Sequence, residues 1–240
     1  MPQKLLREVG LMAVLLLAAS VMLTSCIEEP NPPVLDRITS EVRFVHAVPD
    51  AQAVDIWVDG DKVAANVNYK VFSEYLEIKS GNRFIRVAPA GADTSNSYFR
   101  RLLSIRSLTK MTMVFGNIKD DMVHLTTQER FTYADEVSVL IDSCDVKLIN
   151  LNLSGESYRL ERKISETEAV RMIDPVELGS LSPYTRQLAE GGEFHIASGA
   201  SGPRLITFPF ELKKPGYRYT FIVVGTALNR EVLTLQDEPK

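Results

Sequence analysis

An internal repeat constrains the fold of this chain more than any other feature of its sequence. The stretch "FSEYLEIKSGNRFIRVA" (72–88) aligns with "LSPYTRQLAEGGEFHIAS" (181–198), and "KMTMVFGN" (110–117) aligns with "RYTFIVVGT" (218–226). The first alignment matches three residue types in order: Ser73 with Ser182, Tyr75 with Tyr184 and, after one inserted residue, Phe84 with Phe194. Because both alignments have similar offsets, the repeat predicts two related units of about a hundred residues each.

The first unit carries the pattern of short β-strands. Apolar and polar residues alternate over 54–58 ("VDIWV"), which is the period of two of a strand with one buried face. Asp59 and Gly60 follow directly, and both tolerate the positive φ angles that a two-residue hairpin turn requires. Further strands are predicted at 42–47, 75–78, 83–88, 102–107, 111–115 and 122–127. About seven short strands joined by polar turns are typical of an antiparallel β-sandwich of immunoglobulin-like or transthyretin-like type.

The predicted architecture is therefore all-β, with two antiparallel β-sandwich domains in tandem. The first spans 41–134 and the second, a diverged copy, spans 137–240, with a seam in "YADEV" (133–137). In the second domain, Ser165 and Glu168 have the spacing of a helix capping box, so 165–175 is predicted as a short helical turn or a long loop.

The first residues have the organisation of an export signal. Lys4 and Arg7 precede the uncharged apolar run "LMAVLLLAASVML" (11–23), which is shorter than the roughly 20 residues that a membrane span needs. The run leads into "LTSC" (23–26), which resembles a bacterial lipobox, in which small residues precede the cysteine that takes up a diacylglyceryl group. The sequence predicts a lipoprotein signal peptide at 1–25 and a membrane anchor made by acyl chains on Cys26.

Residues 26–40 are predicted to form a proline-rich tether behind the lipidated cysteine. Pro30, Pro32 and Pro33 favour an extended, semi-rigid chain. The acidic pair Glu28 and Glu29 resembles the signal by which Bacteroidetes-type bacteria send lipoproteins to the outer face of the outer membrane. The predicted location is the cell surface, and the periplasmic leaflet of the outer membrane is the alternative.

Charge and cysteine content argue against several functions. The chain has 27 Lys and Arg against 31 Asp and Glu, and this acidic balance disfavours nucleic acid as a partner. The only cysteine besides Cys26 is Cys144, so no internal disulfide is expected after lipidation. Cys144 is predicted to be a small buried apolar residue rather than a reactive thiol.

The stretch "HAVPDAQAVDIWVDG" (46–60) resembles the signature of the bacterial domain of unknown function 4397 family, which typically reads V-H-A-x-P-D-A-P-A-V-D-V-Y-V-D-G. Gln52 and Trp57 stand where the family usually has proline and tyrosine, and "SEYLEIKSGNRFIRVAPAG" (73–91) resembles the strands that follow. The second unit has "KLINLNLSGESYRL" (147–160) in place of the signature. The resemblance implies an exported, β-rich domain of the bacterial envelope, and it implies no activity.

Residues able to carry catalysis are sparse. His46, His124 and His195 lie on predicted strands without the spacing of a metal site, and each is expected to be packed or hydrogen-bonded. "SGASG" (198–202) matches neither a nucleophile elbow nor a phosphate-binding loop. We therefore predict no catalytic residues, no cofactor and no enzymatic activity.

Aspartates of the signature stretch are candidate ligands of calcium, which takes hard oxygen atoms. The four candidates are Asp50, Asp55, Asp59 and Asp61. The alternative is turn geometry alone, because aspartate beside proline or glycine is favoured for its hydrogen bonds to nearby backbone.

Trp57 is the candidate contact residue. It falls in the polar phase of its strand, where an indole can stack on a sugar or a partner surface, or lie against the neighbouring domain. Positive charge also concentrates in the first unit, at Arg83, Arg86, Arg100, Arg101 and Arg106. These arginines are expected to form cross-strand pairs with acidic residues such as Glu74 and Glu77.

The leading functional hypothesis is a non-catalytic binding or adhesion module, lipid-anchored at the bacterial surface, with a glycan or a protein as its partner. The alternative is a structural or scaffold subunit of an envelope assembly that docks through a strand edge or the inter-domain face. An enzyme has the least support, and the oligomeric state is left open.

Overall fold

The structure, a computed structural model, describes residues 38–129, 142–212 and 216–238. It confirms the all-β prediction, since these residues form strands and two short 3-10 turns, Thr94–Asn96 and Lys119–Asp121, but no α-helix. No helix that could span a membrane occurs in this part of the chain. The predicted signal peptide, Cys26 and the seam at 133–137 lie outside the described residues.

Eight strands form the first half of the described fold: β1 (Thr39–His46), β2 (Val54–Val58), β3 (Asp61–Val67), β4 (Leu76–Lys79), β5 (Gly81–Pro89), β6 (Phe99–Ile105), β7 (Lys110–Gly116) and β8 (Val123–Glu129). In the order β4-β1-β7-β8 they form the first inner sheet, and in the order β3-β2-β5-β6 the first outer sheet. All strands predicted in this half are present. Sequence alone missed β3, which lacks a regular alternation of buried and exposed residues.

Nine strands form the second half: β9 (Ser143–Asn150), β10 (Tyr158–Lys163), β11 (Ala169–Val176), β12 (Ser180–Leu181), β13 (Thr185–Leu188), β14 (Gly191–Ser198), β15 (Arg204–Glu211), β16 (Arg218–Gly225) and β17 (Arg230–Asp237). The second inner sheet has the order β12-β9-β16-β17, with β13 also paired to β9, and the second outer sheet has the order β11-β10-β14-β15. The strand order of the first half therefore recurs in the second.

Each inner sheet contains one parallel pair among otherwise antiparallel strands. These pairs are β1 with β7 and β9 with β16. In an immunoglobulin sandwich the first strand shares its sheet with the second, fourth and fifth. Here the first strand shares its sheet with the fourth, seventh and eighth. Of the two predicted sandwich types, this order favours the transthyretin-like one.

Three hydrophobic clusters hold the four sheets together. The first cluster, around Phe44, fills the first sandwich, and the second, around Phe194, fills the second sandwich. The third cluster joins the two halves, and its buried members are Val45, Ala47, Val114, Ile149, Leu151, Ile222, Val224 and Leu235. Both inner sheets thus have two apolar faces, so that neighbouring residues of β1, such as Phe44 and Val45, serve different cores.

A buried ionic cluster also joins the two halves. Asp237 of β17 accepts hydrogen bonds from Nη2 of Arg43 at 2.9 Å and from the hydroxyl of Tyr75 at 2.6 Å. Nζ of Lys110 lies 3.8 Å from the same carboxylate. The side chains of Arg43 and Asp237 are only 6% and 5% exposed, so these charges depend on each other.

A second, more exposed bridge connects Lys70 to Glu231, with Nζ and Oε2 at 2.5 Å. In keeping with these contacts, Ile38–Lys240 forms one compact unit. The predicted domains, 41–134 and 137–240, both fall within this unit, and the boundary between them remains a prediction.

Matched residues of the sequence repeat make matched hydrogen bonds. Oγ of Ser73 accepts the backbone N–H of Phe44 at 3.0 Å, and Oγ of Ser182 accepts that of Leu148, also at 3.0 Å. The matched tyrosines also make matched contacts. The hydroxyl of Tyr75 lies 3.4 Å from Oγ1 of Thr112. The hydroxyl of Tyr184 lies 3.3 Å from Oγ1 of Thr220.

The match of Phe84 with Phe194 is wrong by one residue. Phe194 is fully buried in the second core, whereas Ile85 is the residue that enters the first core and Phe84 lies on the opposite face of β5. A shift of one residue reverses the face of a strand, because its side chains alternate with a period of two.

Neither alternative predicted for 165–175, a short helical turn or a long loop, is present, because β11 already begins at Ala169. Oγ of Ser165 does accept the backbone N–H of Glu168 at 3.1 Å, but within a tight turn that leads into β11. A capping-box spacing and a hydroxyl-stabilised turn use the same bond, so the spacing alone cannot separate them.

Candidate functional site

His46 shapes the loop that joins the first inner sheet to the first outer sheet. The backbone N–H of Val48 lies 3.3 Å from Nδ1 of His46, so Nδ1 accepts and carries no proton. The ring proton is therefore on Nε2, which donates to the carbonyl oxygen of Gln52 at 3.1 Å. Burial lowers the pKa of His46 and keeps the ring neutral.

Asn150 makes the same two bonds in the second half. Its amide nitrogen donates to the carbonyl oxygen of Glu156 at 2.8 Å, and its Oδ1 accepts the N–H of Asn152 at 3.1 Å. In both loops the donated bond reaches six residues ahead and the accepted bond two residues ahead. Because an amide cannot perform acid–base chemistry at neutral pH, the equivalence assigns His46 a role in loop structure.

Asp55 is saturated by donors of the protein itself. Its carboxylate accepts bonds from Nζ of Lys62 at 2.6 Å and from the backbone N–H of Asn66 at 2.8 Å and of Gly91 at 3.1 Å. Burial acts to raise the pKa of Asp55, but these bonds outweigh it and hold the pKa below its usual value. The side chain fixes the edge strand β3 and the loop that follows β5.

Two other candidate aspartates also bind backbone. Asp50 accepts the N–H of Lys119 at 2.9 Å, and Asp59 accepts that of Phe84 at 2.8 Å. Asp59 has the positive φ expected of a tight hairpin turn, and Asp61 is exposed at the start of β3. In the described ranges, no group of three His, Cys, Asp or Glu residues is placed to hold a metal ion. Calcium binding stays a prediction.

Other groups of potential catalytic use are enclosed. Burial, followed by the nearby charge of Asp145, raises the pKa of Cys144 to about 12. Burial also lowers the pKa values of His124 and His195. The "SGASG" loop is held by Arg159, whose Nη1 donates to the carbonyl oxygens of residues 198 and 199 at 2.6 Å each.

The solvent face of the first outer sheet carries a row of three cations and one indole. The apolar residues of β2 enter the first core, so Trp57 lies on the opposite face, as its sequence phase predicts. Cross-strand pairing places Trp57 between Lys62 of β3 and Arg86 of β5. Arg86 in turn lies beside Arg100 of β6. Lys62, Trp57, Arg86 and Arg100 are called the cationic row. With strands about 4.8 Å apart, it spans roughly 14 Å.

Side chains of the row pack on aromatic rings. Nζ of Lys62 lies 4.9 Å from the centroid of the half-buried Trp57 ring. The guanidinium of Arg86 lies 4.9 Å from the centroid of Phe84 and donates to Oγ1 of Thr94 at 3.0 Å. Neither Nε1 of Trp57 nor Nε of Arg86 has a hydrogen-bond partner in the described part of the chain.

Arg100 supplies the most accessible charge of the row. Its side chain is exposed and forms no hydrogen bond or ion pair with the residues that the structure describes. It lies directly opposite Arg86, and like charges in that position destabilise a sheet by roughly 0.2–1 kcal/mol. Beside it, Leu102 is 61% exposed. This end of the row is positive, and no acid within 38–129, 142–212 or 216–238 forms an ion pair with Arg86 or Arg100.

The second outer sheet has a row in the same register, formed by Arg171, Glu161, His195 and Thr207. In this matching row the charge of Glu161 is paired, although Nε2 of His195 has no hydrogen-bond partner among the described residues. Glu161 binds Nε of Arg159 at 2.6 Å and Nε of Arg204 at 3.4 Å. Nδ1 of His195 lies 2.8 Å from Oγ1 of Thr207. The matching row contains no tryptophan and pairs its charges.

A cleft of about 430 Å³ opens at one edge of the second sandwich. It lies between β11 and the segment that contains β12 and β13, and its apolar lining consists of Met172, Ile173, Pro175, Val176, Leu181 and Pro183. The exposed acids Asp174 and Glu177 also line it. β11 is an edge strand, and its Val170 is 50% exposed.

The sequence interpretation found Trp57 but missed the row. Its expectation that the arginines pair with acids is confirmed for Arg83, whose Nη1 lies 3.2 Å from Oδ2 of Asp59. It is wrong for Arg86 and Arg100, because Glu77 belongs to β4 of the first inner sheet, Glu74 precedes that strand, and the two arginines belong to the outer sheet. The period of two gives the phase of each strand. The residues that share a row are decided by the pairing and the register of the strands, which the period does not give.

Comparison with known proteins adds a family resemblance. The model of a family described as "Domain of unknown function (DUF4397)" matches residues 40–152, which confirms the resemblance carried by 46–60. No curated protein matches the chain. The match covers the first eight strands and continues through β9.

Several solved structures are similar at low identity. A "putative cell adhesion protein" from Bacteroides uniformis is 11% identical, with a TM-score of 0.28, over 87% of this chain and 100% of that one. Another from Bacteroides fragilis is 8% identical, with a TM-score of 0.23, over 85% and 98%. The TIE protein of Bacillus anthracis is 9% identical, with a TM-score of 0.23, over 81% of this chain and 34% of its own.

Proposed function

We propose that this protein, which resembles the DUF4397 family over 40–152, is a non-catalytic binding module at the bacterial surface and binds through the cationic row. The observation that carries the proposal is the contrast between the two rows. One leaves arginines side by side next to a half-buried indole, and the other pairs its charges. Arginine and tryptophan are the residues most enriched in contact surfaces.

A non-catalytic role agrees with the use of the reactive side chains. His46 and Asp55 hold loops in place, and Cys144 is buried with a raised pKa. Nδ1 of His195 lies 2.8 Å from the hydroxyl of Thr207, but Nε2 of the same ring has no hydrogen-bond partner among the described residues. The pair therefore lacks the third group that orients the base in an activated nucleophile.

The test compares the full chain with Trp57→Ala on a glycan array and in a pull-down from surface-labelled cells. We expect wild type to retain ligands that the Trp57→Ala variant binds at least about fivefold more weakly, because the indole supplies a large contact area. Trp57→Phe should keep part of the binding. The control is Phe72→Ala, which removes an aromatic side chain that is 42% exposed outside the row.

Thermal melts of each variant separate lost contact from lost folding. If folded Trp57→Ala and Phe72→Ala both bind every ligand as wild type does, the cationic row is not the contact surface and the proposal is rejected.

A scaffold role is the second candidate, and the apolar cleft beside β11 favours it. An edge strand offers unpaired backbone groups to an added strand, and a neighbouring apolar cleft accepts its side chains. Val170→Lys should then abolish co-purification of envelope proteins, and Arg100→Glu should leave it unchanged. The reverse result would assign the contact to the cationic row.

We also propose that acyl chains on Cys26 anchor the protein to the outer membrane, with the folded part facing outward. The sequence of 1–40 supports this proposal. Cys26→Ser should accumulate an unlipidated precursor, and an acylated mature species in that variant would contradict the anchor. Protease added to intact cells should degrade the wild type. Full protection would instead place it on the periplasmic leaflet.

A further inference from the structure

We infer that the ligand of the cationic row is an acidic polysaccharide, a linear chain of sugar units that bear carboxylate or sulfate groups. The inference rests on the proposed binding function of the row and specifies the class of ligand. It draws on the charge, the spacing and the aromatic content of the four aligned positions.

The arrangement of charge suits a linear polyanion. Three of the four positions are cationic, and they follow one line across four hydrogen-bonded strands. At the Lys62 end, Asp55 balances the ammonium group, with its carboxylate oxygen 2.6 Å away. Net positive charge therefore increases towards Arg86 and Arg100. A chain lying along this line would place its anionic groups on the two guanidinium groups.

The arginines offer the geometry that oxyanions prefer. A guanidinium group donates two parallel hydrogen bonds to one carboxylate or sulfate. Arg86 and Arg100 are direct cross-strand partners, and Nη1 of Arg86 already donates to Thr94. An anion on the fork of Arg100 would lie beside the Arg86 guanidinium and offset the mutual repulsion of the two arginines. Repulsion between the two arginines destabilises the unbound sheet, so its removal by an anion contributes favourably to the free energy of binding.

Trp57 distinguishes a polysaccharide from other polyanions. The C–H faces of a sugar ring stack on the flat face of an indole. The formal net charge of the whole chain is −4, which opposes the approach of every polyanion, and most strongly that of nucleic acid, which carries about one charge per 1.7 Å of duplex. A short cationic line beside one indole therefore favours an acidic sugar polymer over nucleic acid.

The test measures binding of the full chain, in non-ionic detergent, to alginate, dextran sulfate, neutral dextran and an oligothymidylate. We expect binding to alginate or dextran sulfate that weakens with added salt, and none to dextran. Arg100→Glu should weaken it about tenfold, and Arg100→Lys should weaken it less, because lysine keeps the charge without the fork. The preferred polymer identifies the anionic group.

Arg106→Glu is the matched control. Arg106 is exposed in the same half but follows β6 outside the row, and its Nη1 binds Oε1 of Gln128 at 3.1 Å. Equal weakening by Arg100→Glu and Arg106→Glu would overturn the inference, because net charge alone would then explain binding. Preference for the oligothymidylate would overturn it in favour of nucleic acid.

One pattern separates this inference from the proposed function. If dextran, or a protein in the pull-down, binds in a Trp57-dependent manner and alginate and dextran sulfate do not bind, the row is a contact surface but its ligand is not acidic. If neither Trp57 nor Arg100 affects any binding, both proposals fail.

Discussion

The two halves of this protein share the bonds that shape their framework and differ in what they present to solvent. His46 and Asn150 form the same pair of loop bonds although their side chains differ. Trp57 and Glu161 hold the same register position on their outer sheets, yet one joins a cationic row and the other a neutralised one. Positions that shape the loops, such as His46 and Asn150, keep the same hydrogen bonds in both halves. Positions on the solvent face of the outer sheets, such as Trp57 and Glu161, differ, and a difference in function can arise there.

The largest effect is expected where the two halves meet. Asp237→Ala should lower the free energy of unfolding by about 3 kcal/mol, because it leaves the buried Arg43 and the nearby Lys110 without a counter-charge. Urea denaturation followed by far-UV circular dichroism measures this loss. Asp237→Asn is the control that keeps a partner for the Tyr75 hydroxyl. A loss below about 1 kcal/mol would show that the halves do not depend on this cluster.

The paired loops should respond alike to truncation. His46→Ala and Asn150→Ala should each lower the free energy of unfolding by about 2 kcal/mol, because each leaves a buried N–H and a part-buried carbonyl oxygen without their partner. His46→Asn should cost less than half as much if an amide can replace the ring. Melting temperatures in one buffer give the comparison. A His46→Asn variant as unstable as His46→Ala would break the equivalence of the two loops.

Acid should distinguish the same two loops. Because the pKa of His46 in the folded protein lies below its ordinary 6.5, the unfolded chain binds the proton more readily. Stability is therefore complete above pH 6.5 and falls as the pH drops below that value towards the folded pKa. His46→Asn should reduce this fall but not abolish it, because burial also lowers the pKa values of His124 and His195.

The measurement is the urea midpoint between pH 7.5 and 5. An unchanged pH dependence in His46→Asn would mean that the loop tolerates a charged ring. Asn150→Ala, which removes no titratable group, should shift the whole curve and leave its slope as it is.

The smallest effect is expected at the exposed bridge between the halves. Lys70→Ala should lower the free energy of unfolding by no more than about 0.5 kcal/mol, because solvent screens a pair whose side chains are 38% and 36% exposed. Glu231→Gln should match it. A loss as large as that of Asp237→Ala would mean that the bridge, and not the buried cluster, holds the halves together.

Much of the fold follows from local patterns in the sequence. Alternation over 54–58 and the turn at Asp59 and Gly60 depend on residues near in sequence, and both are confirmed. The repeat at Ser73 and Ser182 needs only a comparison of residue types in order, and it is confirmed as well. Local patterns could not predict the third cluster, which joins the two halves. A strand with two apolar faces has the same sequence pattern whether it packs against one neighbouring sheet or two. The sequence also did not reveal that Asn150 takes the place of His46. The two residues differ in type and share only the geometry of their hydrogen bonds.

The candidate site was predictable only in part. The phase of Trp57 is local, but the row depends on the pairing of β2 with β5 and of β5 with β6, which joins residues far apart in sequence. The arginines therefore looked like partners of nearby glutamates. Their outward position became visible only once the register was known.

The cluster at Asp237 also sets an order of assembly. Arg43 and Asp237 are separated by 194 positions, so the cation is made early and its counter-charge late. A contact between residues so far apart in sequence is expected to form late in folding, because closing a long loop costs entropy. Truncation of the chain before β17 should therefore leave the guanidinium group of Arg43 without its buried counter-charge.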